Sequence, residues 1–180
     1  MKGCMAIDRQ KTETVHWHAV FTASRAEKKV RDRLEELGVE CFLPVQTVLR
    51  QWTYRKSRVV VPVIAGLVFV RVGRQEQVKV LQTKGGVAFL RLKGEAGAAV
   101  IPDKQMEDFR FLLDFSEEAV EMTNENIKAG DLVRVVKGSL RGMEGELIRH
   151  KGVTKVLVRI DMLGCAMVNI PASFVEKLNK

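Results

Sequence analysis

The 180-residue chain has little of what marks an enzyme, a crosslinked scaffold or a membrane protein. Its three cysteines, Cys4, Cys41 and Cys165, are an odd number and form no C-x-x-C pair. That argues against a disulfide framework and a zinc site, and for a reducing compartment. Its three histidines are equally uninformative. His16 and His18 share one face of a strand pattern without a third ligand nearby, and His150 stands alone, so no metal is expected. No Ser-His-Asp or Cys-His set has supporting motif context. Gly94-Glu95-Ala96-Gly97 lacks the Lys-Ser/Thr of a phosphate-binding loop. The longest apolar run, Val59 to Val70, contains Pro62 and Gly66 and falls short of the roughly 20 residues a spanning helix needs. The first six residues contain no long apolar segment of the secretory type. These absences predict a cytoplasmic, non-catalytic protein with no cofactor and no membrane partner.

What the chain does have is positive charge: 30 Lys+Arg against 22 Asp+Glu, a net +8. Such a balance points to a polyanionic partner, nucleic acid first. The charge is segmented. Residues 1–116 carry 20 basic and 13 acidic residues, 117–127 carry four Glu and no base, and 128–180 carry 10 against 5. Two basic blocks are thus separated by an acidic stretch without a clean helical or strand period, which reads as a linker. The alternative is a solvated continuation of the preceding helix.

The periodicity before the linker is mixed. Residues 1–13 are polar and unpatterned and read as a flexible tail. Val15 to Thr22 alternates as a strand. Ser24 and Glu27 have the spacing of a capping box, and Ala26, Val30, Leu34 and Leu37 form the apolar stripe of a helix stopped by Gly38. Strands are expected over Cys41–Leu49 and Val59–Val72, the latter broken near Pro62 and at Gly66. Between them lies a basic, aromatic hairpin tip, Arg50 to Arg58. A short helix over Gln75–Gln82, a strand over Val87–Lys93 and a helix from Asp103, with Met106, Phe109, Leu112 and Leu113 inward, complete a mixed α+β layer. After the linker the helical period disappears. Strands are expected at Leu132–Val136, Gly145–His150, Lys155–Ile160, Ala166–Ile170 and Val175–Leu178, with glycine turns between them. Five short strands suit a small closed SH3-like barrel, because closure removes exposed edges.

Two motifs carry a family resemblance. Gly130-Asp131-Leu132-Val133-Arg134-Val135-Val136-Lys137-Gly138-Ser139-Leu140-Arg141-Gly142-Met143-Glu144-Gly145 resembles the KOW motif, in which Gly138, Gly142 and Gly145 permit a tight turn and close backbone approach. Upstream, Trp17-His18-Ala19-Val20-Phe21, the helix Arg25–Leu37, Gly38-Val39-Glu40-Cys41-Phe42-Leu43-Pro44, Gly66-Leu67-Val68-Phe69-Val70 and Ile101-Pro102-Asp103-Lys104-Gln105 follow the order of the NGN domain. NGN followed by KOW is the architecture of the NusG-like transcription elongation and antitermination factors. The direct helix-to-strand connection and the Cys-Phe-Leu-Pro run are similar to the specialised branch of RfaH and the UpxY-type capsule-operon antiterminators.

The resemblance implies an α+β fold: an NGN mixed sheet with flanking helices over 14–116, the linker 117–127, and a small SH3-like KOW β-barrel over 128–180. It implies binding to the RNA polymerase clamp helices through an apolar patch that maps to Phe21, Ile64, Ala65, Leu67 and Phe69. The family's usual aromatic-Pro-Gly-Tyr run is replaced here by Val63-Ile64-Ala65-Gly66-Leu67, so aromatic contacts become aliphatic. Strand alternation places about half of such residues in the core. The polymerase contact that the specialised branch makes across the cleft falls on Gln77-Val78-Lys79, which does not match and is not carried over. Arg25, Lys28, Lys29, Arg31 and Arg33 are placed to meet non-template DNA through phosphate charge. Arg55, Lys56 and Arg58, beside Arg50, Trp52 and Tyr54, combine charge with stacking rings and suit single-stranded DNA or nascent RNA. The KOW part would dock a ribosomal protein or a termination factor. The expected function is antitermination of a long capsular or surface polysaccharide operon. The alternatives are a general NusG-like elongation or termination factor and an RNA-binding, ribosome-associated KOW protein.

Overall fold

The structure, a computed structural model, describes residues 14–51, 56–85, 87–125 and 127–178. The expected tail over residues 1–13 lies outside the described residues, as do Trp52, Tyr54 and Arg55 of the hairpin tip.

The N-terminal half is built on a four-stranded sheet. Strand β1 (His16–Phe21) leads to helix α1 (Glu27–Glu36), then β2 (Glu40–Phe42), β3 (Val45–Gln51), β4 (Lys56–Pro62) and β5 (Leu67–Val72). Helix α2 (Glu76–Leu81), strand β6 (Ala88–Phe89) and helix α3 (Asp103–Phe115) follow. The sheet order is β2-β5-β1-β6, with β1 antiparallel to both β5 and β6. Alternation along β1 and β5 creates two apolar faces, and helices cover both. Val20, Val68, Val70 and Val72 share a core with Val30 and Leu34 of α1 and Val80 of α2. Trp17, Ala19, Leu67 and Phe69 share the other core with Met106, Phe109 and Leu112 of α3. Phe69 and Phe109 are wholly buried, with ring centroids 6.0 Å apart in an edge-to-face arrangement. Pairs of this kind add about 1 kcal/mol beyond their burial.

Two expected strands are each divided. Leu43-Pro44 separates β2 from β3, and the segment 63–66 separates β4 from β5. The outer pieces, β3 and β4, pair only with each other, in the register Val48↔Val59 and Leu49↔Arg58. They form a two-stranded arm leaving the main sheet. Proline has no N–H to offer a ladder, so Pro44 and Pro62 fit the base of this arm rather than a central strand. The strand expected over Val87–Lys93 shortens to β6, because Leu90 bonds to Ala19 and Ala99 outside a regular ladder.

The capping box does not form. The residue before α1 is Ala26, with no side-chain cap, and the Glu27 carboxylate instead accepts the Gly66 N–H at 2.7 Å. Gly38 ends the helix as expected: its N–H reaches the Glu35 carbonyl and that of Val39 reaches Leu34. This double bond pattern satisfies carbonyls that the helix end would otherwise leave open.

The C-terminal half is one six-stranded antiparallel sheet. Its strands are β7 (Glu121–Thr123), β8 (Asp131–Val135), β9 (Glu144–His150), β10 (Val153–Ile160), β11 (Gly164–Asn169) and β12 (Val175–Lys177). All five strands expected after the acidic stretch are present, and no α-helix occurs among them. The order is β12-β8-β9-β10-β11-β7, and the outermost strands β12 and β7 do not pair with each other. The sheet therefore does not close into the expected barrel among the described residues. The reason lies in the acidic stretch. Read as having no strand period, it supplies β7, whose Glu121, Met122 and Thr123 pair with Met167, Ala166 and Cys165 and occupy the edge of β11.

Helix α3 also packs against β10, so the two halves share one continuous core. Two glutamines reinforce the contact. The Gln46 amide both accepts from the Val120 N–H (2.9 Å) and donates to the Val120 carbonyl (3.3 Å). The Gln105 carbonyl oxygen accepts the Asp161 N–H at 2.8 Å.

Candidate interaction site

The apolar residues expected to meet a partner divide by depth. Phe21, 44% exposed, ends β1, and Ala65 is exposed on the turn before β5. Ile64 is half-buried against the α3-side core. Leu67 and Phe69 are 1% and 0% exposed and belong to that core, so they form the floor and not the surface. The odd-numbered positions of β5 face α3, which explains their burial. Phe21 stands opposite Leu67 in the β1–β5 register, and the neighbouring Thr22 N–H bonds the Gly66 carbonyl at 2.8 Å. These bonds, with the Glu27 carboxylate on Gly66 N–H, hold the Ile64–Gly66 turn beside Phe21.

Glu27 is the functional residue that sequence reasoning placed in another role. It is 6% exposed, and its carboxylate positions the turn that presents Ile64 and Ala65. Its spacing from Ser24 suggested a cap. What remained invisible was that Gly66, 39 residues on, would lie within reach.

The candidate cations fall into two groups, one on α1 and one on the arm. Arg25, Lys28 and Lys29 are exposed around the start of α1, with no ion pair among the described residues. Arg25 holds a positive φ of 61°, unusual for a side-chain-bearing residue. Arg31 is engaged by Asp32 at 2.6 Å and lies 3.8 Å from Glu35. Arg33 donates to the Lys84 carbonyl at 2.6 Å. These two are therefore partly committed to the fold. Lys56 and Arg58 are exposed on the arm, together with Arg50. The structure thus brings together Phe21, Ile64 and Ala65, and separately clusters cations on α1 and on the arm.

The KOW-like turn follows its glycines. Gly138 and Gly142 have φ of 81° and 93°. Gly145 has no positive φ, and its role is close approach: an added Cβ would lie 2.8 Å from Val156 Cγ1 and 2.9 Å from the Leu157 carbonyl oxygen. Around it, the C-terminal half engages several of its charges internally. Arg159 donates twice to the Glu146 carboxylate, at 2.6 and 2.9 Å, and once to the Ile127 carbonyl. Lys155, 5% exposed, bonds Glu121 at 2.6 Å. Arg159 holds Glu146 below the usual carboxylate range, and Lys155 does the same to Glu121.

No group of three or more potential metal ligands occurs among the described residues. Cys41 is half-buried, which pushes its thiol up to about 12 and leaves it a poor nucleophile. Among the described residues no helix is long and apolar enough to cross a membrane.

The N-terminal sheet, expected to be mixed, is antiparallel in every pairing, with helices on both faces and a glycine-turned antiparallel sheet after it. The family model for the transcription termination factor nusG matches residues 15–110, more than half of the chain. The chain belongs to the NusG family, whose members are non-enzymatic transcription factors, and membership implies interaction with RNA polymerase. Among solved structures, NusG of Thermotoga maritima, described as "Domain interaction in Thermotoga maritima NusG", is 22% identical. The match covers 92% of this chain and 98% of that one, with a TM-score of 0.46. Spt5 structures are also similar: one of the "MjSpt4:Spt5 complex conformation A" is 18% identical over 91% of this chain and 99% of that one, with a TM-score of 0.27. A search among curated proteins finds no match.

Proposed function

We propose that this chain is a transcription elongation and antitermination factor that rides RNA polymerase and promotes read-through of a long operon of the capsular or surface polysaccharide kind. The observation that carries the reading is the apolar edge of Phe21, Ile64 and Ala65 on a NusG-family domain, built over a rigid floor of Leu67 and Phe69. An exposed apolar patch held by a rigid scaffold is what a protein partner requires. The partner we assign to it is the clamp helices of the polymerase. The cations of α1 and of the arm would follow non-template DNA or nascent RNA through phosphate contacts. We read residues 14–116 as the NGN domain, 117–127 as the connector and 128–180 as a KOW module that docks a ribosomal protein or a termination factor. The specialised assignment is supported by the short path from α1 to β2 and by the Cys41–Pro44 run.

The test is retention of the full chain on core RNA polymerase. Phe21→Asp with Ala65→Asp changes exposed positions, so the fold should persist while retention falls by at least tenfold. Undiminished retention of that double variant would remove the patch from the mechanism. Failure of the unaltered chain to bind polymerase would remove the whole reading. Deleting the gene separates the specialised from the general factor: loss of distal transcripts of one operon indicates the first, and global elongation defects the second.

A further inference from the structure

At the end of β1 opposite Phe21 lies a groove of about 700 Å³ that the polymerase reading does not use. It is bounded by His16 and His18 of β1, Val72 at the end of β5, Arg74 and Gln77 around the start of α2, and Val100 before α3. The volume is within the range of small-molecule sites. Among the described residues, none that lines it is acidic.

The chemistry of the groove is set by His18, which is 3% exposed. Its Nδ1 lies 2.7 Å from the Ala99 carbonyl oxygen, which can only accept, so Nδ1 carries the hydrogen. Burial pushes the imidazole toward its neutral form, which leaves Nε2 as an acceptor. The Phe89 ring packs edge-on at 5.7 Å and fixes the imidazole plane. The Gln77 side-chain amide donates to Nε2 at 3.4 Å, near the outer limit of a hydrogen bond. A buried, rigid acceptor with so long a partner gains from a better donor. At the rim, Arg74 is exposed and has no ion pair among the described residues. The nearest acid in sequence, Glu76, accepts the Gly73 N–H instead. Val72 and Val100 supply an apolar wall.

A rim cation, a deep acceptor and an apolar wall recognise three parts of one ligand class. We infer that this groove binds a nucleoside monophosphate whose base carries an imino N–H, of the uridylate or guanylate type. Arg74 takes the phosphate, Val72 and Val100 face the base, and His18 Nε2 accepts the imino hydrogen. The same chemistry is offered by a free mononucleotide and by an unpaired nucleotide of a nucleic-acid strand.

The test is titration of the isotope-labelled full chain with uridine monophosphate, read by amide NMR shifts. Saturable shifts at His16, His18, Arg74 and Gln77 are expected in the millimolar range or below. Uridine and inorganic phosphate should each bind at least about tenfold more weakly, because each lacks one of the two anchors. The N3-methyl derivative, which removes the imino hydrogen without touching the protein, should lose about tenfold. So should Arg74→Ala, a surface change whose unaltered spectrum elsewhere reports an intact fold. Absence of saturable shifts at these residues, or equal binding by the methylated ligand or by Arg74→Ala, overturns the assignment. A short oligouridylate separates the two sources. Tighter binding through the same residues assigns the site to a strand, and weaker binding assigns it to the free nucleotide.

Discussion

The two halves of the chain are both basic, yet they use their charge differently. In the N-terminal half, Lys28, Lys29, Lys56 and Arg58 stand exposed without ion pairs among the described residues. In the C-terminal half, Arg134, Lys155, Arg159 and Lys177 are paired with Glu144, Glu121, Glu146 and Asp131. Net charge therefore says less than partnership. Cations on α1 and the arm are available to a polyanion, whereas Lys155 and Arg159 fasten the acidic stretch to the sheet beside it. Sequence arithmetic counts both kinds equally, because pairing depends on which strands become neighbours.

The sharpest way to break this contrast is in the packing that underlies it. Phe109→Ala should destabilise the protein by about 4 kcal/mol, since it empties a fully buried site shared by α3 and the sheet. The shift in urea unfolding midpoint measures it. Gly130→Ala should cost about 3 kcal/mol by the same measurement. An added Cβ there would lie 2.2 Å from the Leu147 carbonyl oxygen, so main chain and not merely a side chain must move.

Arg159→Ala should cost about 2 kcal/mol, moderated because the guanidinium is partly solvated. It strips Glu146 of its main partner. Acid tests the same pair by another route. The folded-state values of Glu146 and Glu121 lie below the ordinary 4.5, so their contribution is complete above that pH. It is lost progressively as the pH falls below it. Amide exchange should then show β7 and the 127–130 segment opening at a higher pH than the α1–sheet core. Smallest in stability is the effect of Lys28→Glu with Lys29→Glu, within about 0.5 kcal/mol. Nucleic-acid binding measured across salt concentrations should nonetheless weaken and lose about two in its logarithmic salt slope. An equal effect from Lys155→Ala would erase the contrast between the halves.

Much of this fold was legible in the sequence where a pattern is local. The alternation of β1, the stripe of Val30 and Leu34, the inward Met106, Phe109 and Leu112, and five glycine-punctuated strands all appear close to the expected positions. The misses share a cause, since each depends on a distant partner. Glu27 met Gly66 instead of its own helix end. The acidic stretch lacks a strand period of its own but was drawn into one by the free edge of β11. Leu67 and Phe69 alternate as strand residues must, and only α3 decides that their side is covered. Of the candidate surface, the residue types were legible. Depth and pairing, which separate Phe21 from Phe69 and Lys28 from Arg31, were not.

The Gln46 clamp on Val120 has a mechanical consequence. One side-chain amide holds both the N–H and the carbonyl of a single residue, as a neighbouring strand would. Gln46 sits near the base of the arm formed by β3 and β4, and Val120 just ahead of β7. A pull on β3 thus reaches the residues just ahead of β7 through these two bonds as well as through the chain.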